Sequence, residues 1–327
     1  MLFSRRPRAH AREFCYIFDM SNFKKVAVLM GGTSNEREVS LVSGRNVAEA
    51  LSSLGMFEVV PVVLDTDDLV ALPADIDACY VTLHGGWGEN GGVQAALDAR
   101  GIPYTGPGAT ASRTTMDKIA TKKVLDAAGV PTAPWFVESD ARWSPASNAF
   151  DLTFPCVVKA PRDGSSVGVY LVKSPEDYSH AVAEARRIDR EKFGGPGEAL
   201  VEAFLPGREM TVGVLGREVL PVVEICAPGG WYGYEEKYNS DETRYPFPED
   251  AFLPEMQRIA LAAFDATGCR GVTRVDFRVT PEGRMYVLEL NTSPGMTGHS
   301  LVPKAAAKTG LAFPELCDRV LRTAAHD

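Results

Sequence analysis

The chain has 327 residues, of which 45% are hydrophobic and 24% charged, and its formal net charge is −9 with a pI near 5.2. This composition is typical of a soluble globular protein, the length suggests two or three domains, and the acidic balance argues against a general nucleic-acid binder. No apolar run reaches the roughly 18 residues that a membrane-spanning helix needs, so we predict no membrane segment.

The first hundred residues alternate between strands and helices. Predicted strands cover Lys24–Met30, Val59–Leu64, Ala78–Leu83 and Ile102–Thr105, and predicted helices run from Glu36 to Leu54 and from Gln94 to Arg100. This alternation predicts a parallel, doubly wound sheet, on which ligands bind beyond the carboxyl ends of the strands. Glycine-rich loops at Gly31 and Gly85 follow two of those strand ends.

The run Gly106-Pro107-Gly108 predicts a domain boundary, after which strands become more frequent. Predicted helices run from Thr110 to Ala128, Pro175 to Arg190 and Leu253 to Gly268, and predicted strands cover Phe154–Lys159, Ala199–Leu205, Met210–Val214 and Glu218–Ile225. Residues 227–248, rich in Gly, Pro, Tyr and charge, are predicted to form a loop without regular structure. A loop of that length inside a compact domain is usually a functional lid.

Two later runs, 274–277 and 288–291, have the pattern of a hairpin with polar residues on one face. If Glu282-Gly283 forms a two-residue turn, Asp276 lies opposite Glu289 and Arg274 opposite Asn291, with Cβ atoms roughly 5 Å apart. The intervening apolar residues, Leu288 and Leu290 among them, are then expected in a core. Two carboxylates and an amide on one surface are suited to Mg²⁺ shared with nucleotide phosphates, although a hairpin with a solvated polar face has the same pattern.

Several other residues have both a functional and a structural interpretation. The loop Asp163–Gly168 contains Ser165 and Ser166 and could bind phosphate, but it lacks the Walker A lysine and resembles a plain hairpin loop. Lys118 and Lys159 are candidate phosphate ligands, and Glu202 and Glu209 are candidate nucleotide ligands. Each of these four side chains could equally be a surface charge. Glu36 could bind a substrate ammonium or complement a helix dipole, and His84 could orient a carboxylate or act as a cap.

The six cysteines are dispersed, with no C-x-x-C pair and no Cys/His cluster, which argues against zinc. We interpret them as small buried side chains in a reducing compartment and therefore predict a cytoplasmic protein. Residues 1–19 are basic but contain no apolar stretch, so they do not resemble a secretory signal. A disordered tail, or a start codon assigned too early, is the interpretation that we favour.

Taken in order, the motifs closely resemble the D-alanine–D-alanine ligases of the ATP-grasp superfamily over about residues 23 to 322. The resemblance is carried by Gly31–Ser40, Leu83–Gly91, Met116–Lys118, Arg162–Gly168, Tyr234–Tyr238, Ser240–Thr243, Glu289–Thr297 and His299–Pro303. It implies an α/β fold with a three-domain ATP-grasp architecture whose N-terminal domain contains the doubly wound parallel sheet. The expected boundaries are an extension at 1–19, domains at 20–106, 107–201 and 202–327, and a lid near 227–248.

The resemblance also implies ATP, D-alanine and two Mg²⁺ or Mn²⁺ ions as ligands, and a homodimer. ATP phosphates would be held by Lys118, Lys159, Lys237 and the Ser165-Ser166 loop, and the nucleoside by Glu202 and Glu209. The metals would be held by Asp276, Glu289 and Asn291. Substrate binding and catalysis would fall to Glu36, His84, Ser165, Tyr238, Arg274, Gly295, Ser300 and Leu301, with Glu36, Ser165 and Tyr238 forming a triad beneath the lid.

Two departures from the family pattern are Asn90, where Asp is common, and Val272-Thr273, where Gly is frequent. Neither belongs to the expected set of ligand-binding residues. Three alternatives stay open from the sequence: a ligase that makes D-alanyl-D-lactate or D-alanyl-D-serine, a different carboxylate–amine ligase, and a nucleotide-binding regulator without catalysis. The run Lys237-Tyr238 argues weakly against the first alternative, and Glu36 with Ser300-Leu301 argues against the second.

Overall fold

The computed structural model describes residues 23–138, 151–164, 167–228 and 242–327. Its first sheet has three parallel strands in the order β2-β1-β3. These strands are β1 (Lys25–Gly31), β2 (Glu58–Leu64) and β3 (Ala78–Val81), and the helices are α1 (Arg37–Ser53), α2 (Gly86–Glu89) and α3 (Gly92–Asp98). Val26 and Val28 pack with α1 while Ala27 and Leu29 pack with α3 on the other face, which confirms the predicted doubly wound arrangement.

The predicted strand Ile102–Thr105 is not a strand. Tyr104 forms a single parallel bridge with Cys79, and its backbone is otherwise paired with Ala325 near the C-terminus. The Tyr104 N–H donates to the Ala325 carbonyl at 3.0 Å, and the Tyr104 carbonyl accepts from the Ala325 N–H at 3.1 Å. The segment therefore divides its backbone hydrogen bonds between Cys79 on β3 and Ala325, which lies more than two hundred positions away in the chain.

The predicted helix Thr110–Ala128 is two helices, α4 (Ala109–Met116) and α5 (Lys118–Ala127). Asp117 separates them with φ −91° and ψ 106°, which is outside the helical region. Its carboxylate accepts hydrogen bonds from the N–H groups of Ile119 at 2.9 Å and Ala120 at 3.0 Å, which is an N-cap. The break makes Lys118 the first residue of α5.

The second sheet has the strand order β4-β7-β5-β6, and all its pairs are antiparallel. Its elements are β4 (Trp135–Glu138), β5 (Cys156–Lys159), β6 (Val169–Val172), α6 (Pro175–Phe193) and β7 (Ala199–Ala203). Helix α6 covers one face through Ala181 and Ala185, which share a core with Val158 and Val201. The end of β5 brings Lys159 to the open side of this sheet.

The third sheet has the order β10-β8-β11-β12, with β9 paired to β8. Its elements are β8 (Arg208–Leu215), β9 (Glu218–Val219), β10 (Val223–Ile225), α7 (Leu253–Ala266), β11 (Val272–Val279) and β12 (Met285–Asn291). The predicted strand Glu218–Ile225 is two strands, because Pro221 between them lacks an N–H and the register against β8 differs by one residue between β9 and β10. Residues 242–248 also depart from the predicted loop, since Arg244 and Cys226 form an antiparallel bridge.

The hairpin of β11 and β12 has the predicted register at the polar end, where Arg274 pairs with Asn291 and Asp276 with Glu289. The predicted two-residue turn is wrong, because the Thr280 N–H bonds to the Arg284 carbonyl at 2.9 Å and encloses a longer turn. A bulge between Asp276 and Phe277 compensates for the difference. The bulge leaves Leu288 only partly buried and facing a cavity, so its predicted core position is wrong, whereas Leu290 is buried.

Helices α8 (Leu301–Lys308) and α9 (Phe313–Leu321) return to the first sheet. Val302 and Leu316 belong to the same hydrophobic core as Val26 and Val47, so the C-terminal helices pack beside α1. This packing brings the N-terminus of α8 opposite the glycine loops of the first sheet. Among the described helices, none combines the length and apolar character that crossing a membrane requires.

The cysteine prediction is confirmed for four of the five cysteines in the described ranges, since Cys79, Cys156, Cys269 and Cys317 are buried and free. Cys226 is also free but partly exposed. Burial raises the pKa of the Cys79 thiol to about 12 and that of Cys269 to about 11. These thiols are therefore packing groups and not nucleophiles at neutral pH.

Candidate active site

Two cavities meet where the three sheets converge, a larger one of about 580 Å³ and a smaller one of about 110 Å³. Lys118 and Glu289 line both cavities and mark their junction. The other predicted site residues divide into Glu36, His84, Arg274, Asn291, Gly295, Ser300 and Leu301 on the larger cavity and Lys159, Glu202, Glu209 and Asp276 on the smaller one. The predicted residues Ser165, Ser166, Lys237 and Tyr238 lie outside the described residues, as do residues 1–19.

At the hairpin, Asp276 is the centre of a buried polar network. Its two carboxylate oxygens accept from Arg274 at 2.9 and 2.8 Å, and Oδ2 also accepts from Asn291 Nδ2 at 3.0 Å. The Thr211 hydroxyl, from the neighbouring strand β8, donates to Oδ1 at 2.6 Å. Because side chains alternate along β11 and β12, the four predicted polar residues of the hairpin lie on one face. Thr211 is a further partner that the sequence analysis did not identify.

Lys118 lies at the junction of the two cavities as the first residue of α5. Its Nζ donates to the Asp163 carbonyl at 2.7 Å and lies 3.6 Å from Glu289 Oε2. The loop that carries Asp163 is held in turn by Arg162, whose guanidinium makes two hydrogen bonds of 2.8 and 2.5 Å with the buried Asp189. The side chain of Lys118 is therefore fixed between the loop that carries Asp163 and the hairpin of β11 and β12.

In the smaller cavity, Glu202 forms ion pairs with two lysines. Lys159 contacts Oε2, and the buried Lys122 lies 2.5 Å from Oε1 while donating to Thr132 Oγ1 at 2.7 Å. Lys122 was not among the predicted residues. A lysine on an otherwise amphipathic helix carries no sequence signal that distinguishes it from a surface charge.

The charge balance of this cluster explains the direction of its pKa shifts. Burial by itself raises the pKa of Glu202, but the ammonium groups of Lys122 and Lys159 outweigh it and hold that pKa at about 2. Burial lowers the pKa of Lys122 and the charge of Lys159 acts in the same direction, while the carboxylates of Glu202 and Asp126 act in the opposite direction. Glu202 is therefore ionised at any working pH and acts as a hydrogen-bond acceptor.

Glu209, on β8, has a partner that the sequence did not reveal. Arg278 on the adjacent strand β11 donates to Glu209 Oε2 at 2.9 Å. Both side chains line the smaller cavity and both are largely shielded from solvent. The pairing fixes the Glu209 carboxylate in the wall of the smaller cavity.

In the larger cavity, Glu36 lies beside the Gly85 loop, as the α1 N-cap residue. The approach is so close that a Cβ at Gly85 would meet Glu36 Oε2 at 2.6 Å, and Gly85 also has φ +62°. The Ser34 hydroxyl ties the two glycine loops together by donating to the His84 carbonyl at 2.5 Å. Only glycine satisfies both requirements at this position.

His84 neither caps a helix nor stands free in the cavity. Its Nδ1 lies 2.9 Å from the Ser293 carbonyl, which can only accept, so Nδ1 carries the proton. Its Nε2 lies 3.2 Å from Ser43 Oγ, and that hydroxyl already accepts from the Met296 N–H at 3.1 Å. Burial lowers the pKa of His84, which favours this neutral form. His84 therefore anchors the loop 293–296 against α1.

Glu89 links the same two regions and was missed as a site residue, although it lies in one of the recognised motifs. Its Oε2 accepts from the Gly85 N–H at 2.7 Å, and its Oε1 accepts from the Ser293 N–H at 3.1 Å. The loss of solvent around the carboxylate and the neighbouring charge of Glu36 raise the pKa of Glu89 to about 7.

We expect the Glu89 carboxyl to make stability pH-dependent, because its pKa in the folded protein exceeds its usual value. The folded state then binds more protons than the unfolded state, so stability is lost as the pH rises through about 7. Relative to Glu89→Gln, which does not titrate, the free energy of unfolding should fall by about 2–3 kcal/mol between about pH 5 and about pH 8. Urea unfolding of both proteins across this range measures the difference, and parallel pH profiles would contradict the expectation.

The other wall of the larger cavity is the turn from Gly295 to Ser300. The Ser300 hydroxyl accepts from the Thr297 N–H at 3.0 Å, and a Cβ at Gly295 would meet this oxygen at 2.6 Å. Ser300 is the N-cap residue of α8, with φ −70° and ψ 142°. The N–H groups that begin α8 consequently face the cavity, where the dipole of the helix favours an anion.

Two family models match most of the chain. The model described as D-ala D-ala ligase N-terminus matches residues 25–72, and the one described as D-ala D-ala ligase C-terminus matches residues 124–322. Together they span more than half of the chain and include every predicted metal ligand.

Individual relatives agree with the family models. A D-alanine–D-alanine ligase of Janthinobacterium sp. (strain Marseille) is 44% identical over 315 residues, which cover 92% of this chain and 96% of that protein. The ligase of Bordetella pertussis (strain Tohama I) is 45% identical over 320 residues, covering 93% and 96%. The crystal structure of the Bacillus anthracis ligase in complex with ATP has a TM-score of 0.76 and 30% identity, covering 92% of this chain and 97% of the other.

Proposed function

Because the chain belongs to the D-alanine–D-alanine ligase family, we propose that its two cavities are the substrate sites of a reaction through D-alanyl phosphate. The activity of the chain is the ATP-dependent ligation of two D-alanines, which supplies a precursor of peptidoglycan. One observation supports the proposal above others: the two cavities share Lys118 and Glu289. A phosphoryl group at that junction would be within reach of ligands in both cavities.

The smaller cavity is the proposed nucleotide site. Lys118 and Lys159 would hold phosphate oxygens, Glu202 would accept from the adenine amino group, and Glu209 would accept from a ribose hydroxyl. The ionised state of Glu202, maintained by Lys122, supports its role as an acceptor. From the resemblance we also assign Ser165, Ser166 and Lys237 to the phosphates.

The proposed metal site rests on the oxygen atoms of Asp276, Glu289 and Asn291. Among the described residues, no group of three or more His, Cys, Asp or Glu side chains is arranged to hold a metal ion. The hairpin itself offers two carboxylates and an amide. Such a donor set fits hard cations that complete their coordination with nucleotide phosphates. When bound there, two Mg²⁺ or Mn²⁺ ions would neutralise charge on the transferring phosphoryl group.

In the first proposed step, a carboxylate oxygen of the donor D-alanine attacks the γ-phosphorus of ATP. The new O–P bond forms as the bond to the β,γ-bridging oxygen breaks, which yields D-alanyl phosphate and ADP. Glu36 would hold the donor ammonium, while Arg274 and the Gly295 N–H would orient the carboxylate and stabilise charge on it. His84 and Glu89 would hold these groups in place through the Ser293 loop.

In the second proposed step, the amine of the acceptor D-alanine attacks the acyl carbon. A C–N bond forms, the C–O bond to phosphate breaks, and the nitrogen loses a proton as inorganic phosphate leaves. Ser300 and the Leu301 N–H at the start of α8 would receive the acceptor carboxylate. Arg274 and Gly295 would stabilise the developing oxyanion, and the proposed triad of Glu36, Ser165 and Tyr238 would exclude water beneath the lid.

Positioning should contribute more to the rate than acid–base chemistry. Orientation of bound reactants can supply about 7–11 kcal/mol, whereas a general base supplies about 3–5 kcal/mol.

We also propose a cytoplasmic homodimer with domains at 20–106, 107–201 and 202–327, each built around one of the three sheets.

The test is phosphate release from ATP and Mg²⁺ in the presence of D-alanine, L-alanine, or D-alanine with D-lactate, with products identified by mass. We expect phosphate release with D-alanine alone and one dipeptide formed per ADP. A depsipeptide as the main product at neutral pH would instead identify a D-alanyl-D-lactate ligase. Nucleotide binding without any phosphate release would indicate a regulatory protein.

A further inference from the structure

The larger cavity has one basic side chain for which the proposed mechanism has no role. Three lysine or arginine residues line this cavity among the described residues: Lys118, Arg274 and Lys304. Lys118 lies at the junction of the two cavities, and Arg274 is bound to Asp276. Lys304 lies on α8, at the end of the cavity where Ser300 begins that helix.

Lys304 is directed toward this end of the cavity by its position on α8. It is one helical turn after Ser300, and its N–H donates to the Ser300 carbonyl at 3.3 Å. Residues so spaced lie on the same face of a helix, with Cβ atoms about 5–6 Å apart. Lys304 Nζ donates to the Gly298 carbonyl at 3.3 Å and lies 5.0 Å from the ring centroid of Tyr245, which also lines the cavity.

The next lysine on α8 provides a built-in comparison. Lys308 lies one turn further along and also rests over an aromatic ring, with Nζ 5.3 Å from the centroid of Phe247. Lys308 is exposed and does not line the cavity, whereas Lys304 is partly buried. Cation–π contact with a core aromatic residue is therefore common to both, and proximity to Ser300 distinguishes Lys304.

The negative charge of the larger cavity is a second reason to expect a cation at its Ser300 end. Five carboxylates line the larger cavity among the described residues, those of Glu36, Glu38, Glu89, Asp163 and Glu289, and the whole chain carries a net charge of −9. An amino acid whose carboxylate enters such a cavity is repelled unless a positive charge lies near its binding position. Partial burial lowers the pKa of Lys304, and a bound carboxylate would offset that cost.

We propose that Lys304 is a specificity-determining residue that draws the carboxylate of the acceptor amino acid to the N-terminus of α8. The inference rests on the proposed function, because it takes the Ser300 end of the cavity as the acceptor site. A carboxylate held there leaves the amine of the acceptor facing the acyl group near Arg274. The lysine thereby favours acceptors with a free α-carboxylate over neutral ones.

The test compares Lys304→Met with Lys308→Met. Charges about 6 Å apart at the edge of a solvated cavity should change affinity by about 3- to 10-fold. In Lys304→Met the Michaelis constant for the acceptor should rise by that factor, while those for the donor and ATP change by less than about twofold. Lys308→Met should match the wild type in all three constants, and Lys304→Arg should restore acceptor binding.

Competition between D-alanine and D-alaninamide, whose carboxyl group is neutral, provides a readout that a structural role would not alter. The preference of the wild type for D-alanine should fall in Lys304→Met by the same factor as acceptor affinity. An unchanged preference, or equal effects of the two methionine variants, would overturn the role of Lys304. Absence of any dipeptide from the wild type would refute the proposed function itself.

Discussion

Arg274→Ala should abolish ligation while ATP binding stays nearly unchanged. The guanidinium of Arg274 is held by two hydrogen bonds to Asp276, and it lines the larger cavity beside Gly295. Loss of a fixed donor aimed at developing negative charge costs about 10²–10³-fold in kcat, and removing a full positive charge should reach the upper end of this range. ADP release in a coupled assay measures the first effect, and calorimetric titration with ATP measures the second.

The same hairpin offers a control for Arg274. Arg284 lies at the turn, exposed to solvent and 3.8 Å from Glu282, so Arg284→Ala removes an equal charge without approaching either cavity. We expect Arg284→Ala to keep wild-type kinetics, because exposed ion pairs contribute little to stability. If ATP affinity collapses in parallel with ligation in Arg274→Ala, the role of Arg274 in the acyl site is wrong and it acts on the nucleotide.

The polar end of the hairpin could be predicted because alternation along a strand is a local property. Residues two apart share a face, so Arg274 and Asp276 on one strand had to oppose Glu289 and Asn291 on the other once the register was known. The register itself was correct for a reason that the sequence did not contain. The longer turn and the bulge offset each other, and the bulge leaves Leu288 facing the smaller cavity.

Residues that work through distant partners could not be predicted in the same way. Lys122 reaches Glu202 across 80 positions of the chain, and Glu89 reaches Ser293 across more than two hundred. Neither contact follows from periodicity, because each depends on how separate sheets pack together. The division of α4 from α5 was nevertheless visible in principle, since Asp117 is a strong N-cap residue inside a predicted helix.

These missed contacts share a feature that bears on function. Lys122, Glu89 and His84 all hold other groups in position, and Glu89 and His84 also line the larger cavity themselves. Fixed surroundings reduce the reorganisation required when charge develops. A site that depends on positioning should therefore be supported by such residues on each of its walls.

Glu289→Gln should weaken the proposed metal site more than it weakens the nucleotide site. Glu289 lies at the junction of the two cavities, with Oε2 3.6 Å from Lys118 Nζ. Loss of one of two carboxylates removes a strong ligand for a hard cation, and we expect kcat to fall by about 10²–10³-fold with a higher Mg²⁺ requirement. Titration of the protein–nucleotide complex with Mn²⁺, followed by electron paramagnetic resonance, measures metal affinity apart from turnover.

The expected effect on nucleotide binding has the opposite sign to the effect on metal binding. Without the Glu289 carboxylate, Lys118 loses a nearby negative charge and can interact more strongly with phosphate, so ATP affinity without metal should stay equal or rise. Glu282→Gln, which removes an exposed carboxylate from the turn of the same hairpin, should leave both affinities unchanged. If Mn²⁺ affinity is the same in Glu289→Gln and the wild type, Glu289 does not bind metal, and its function is confined to positioning Lys118.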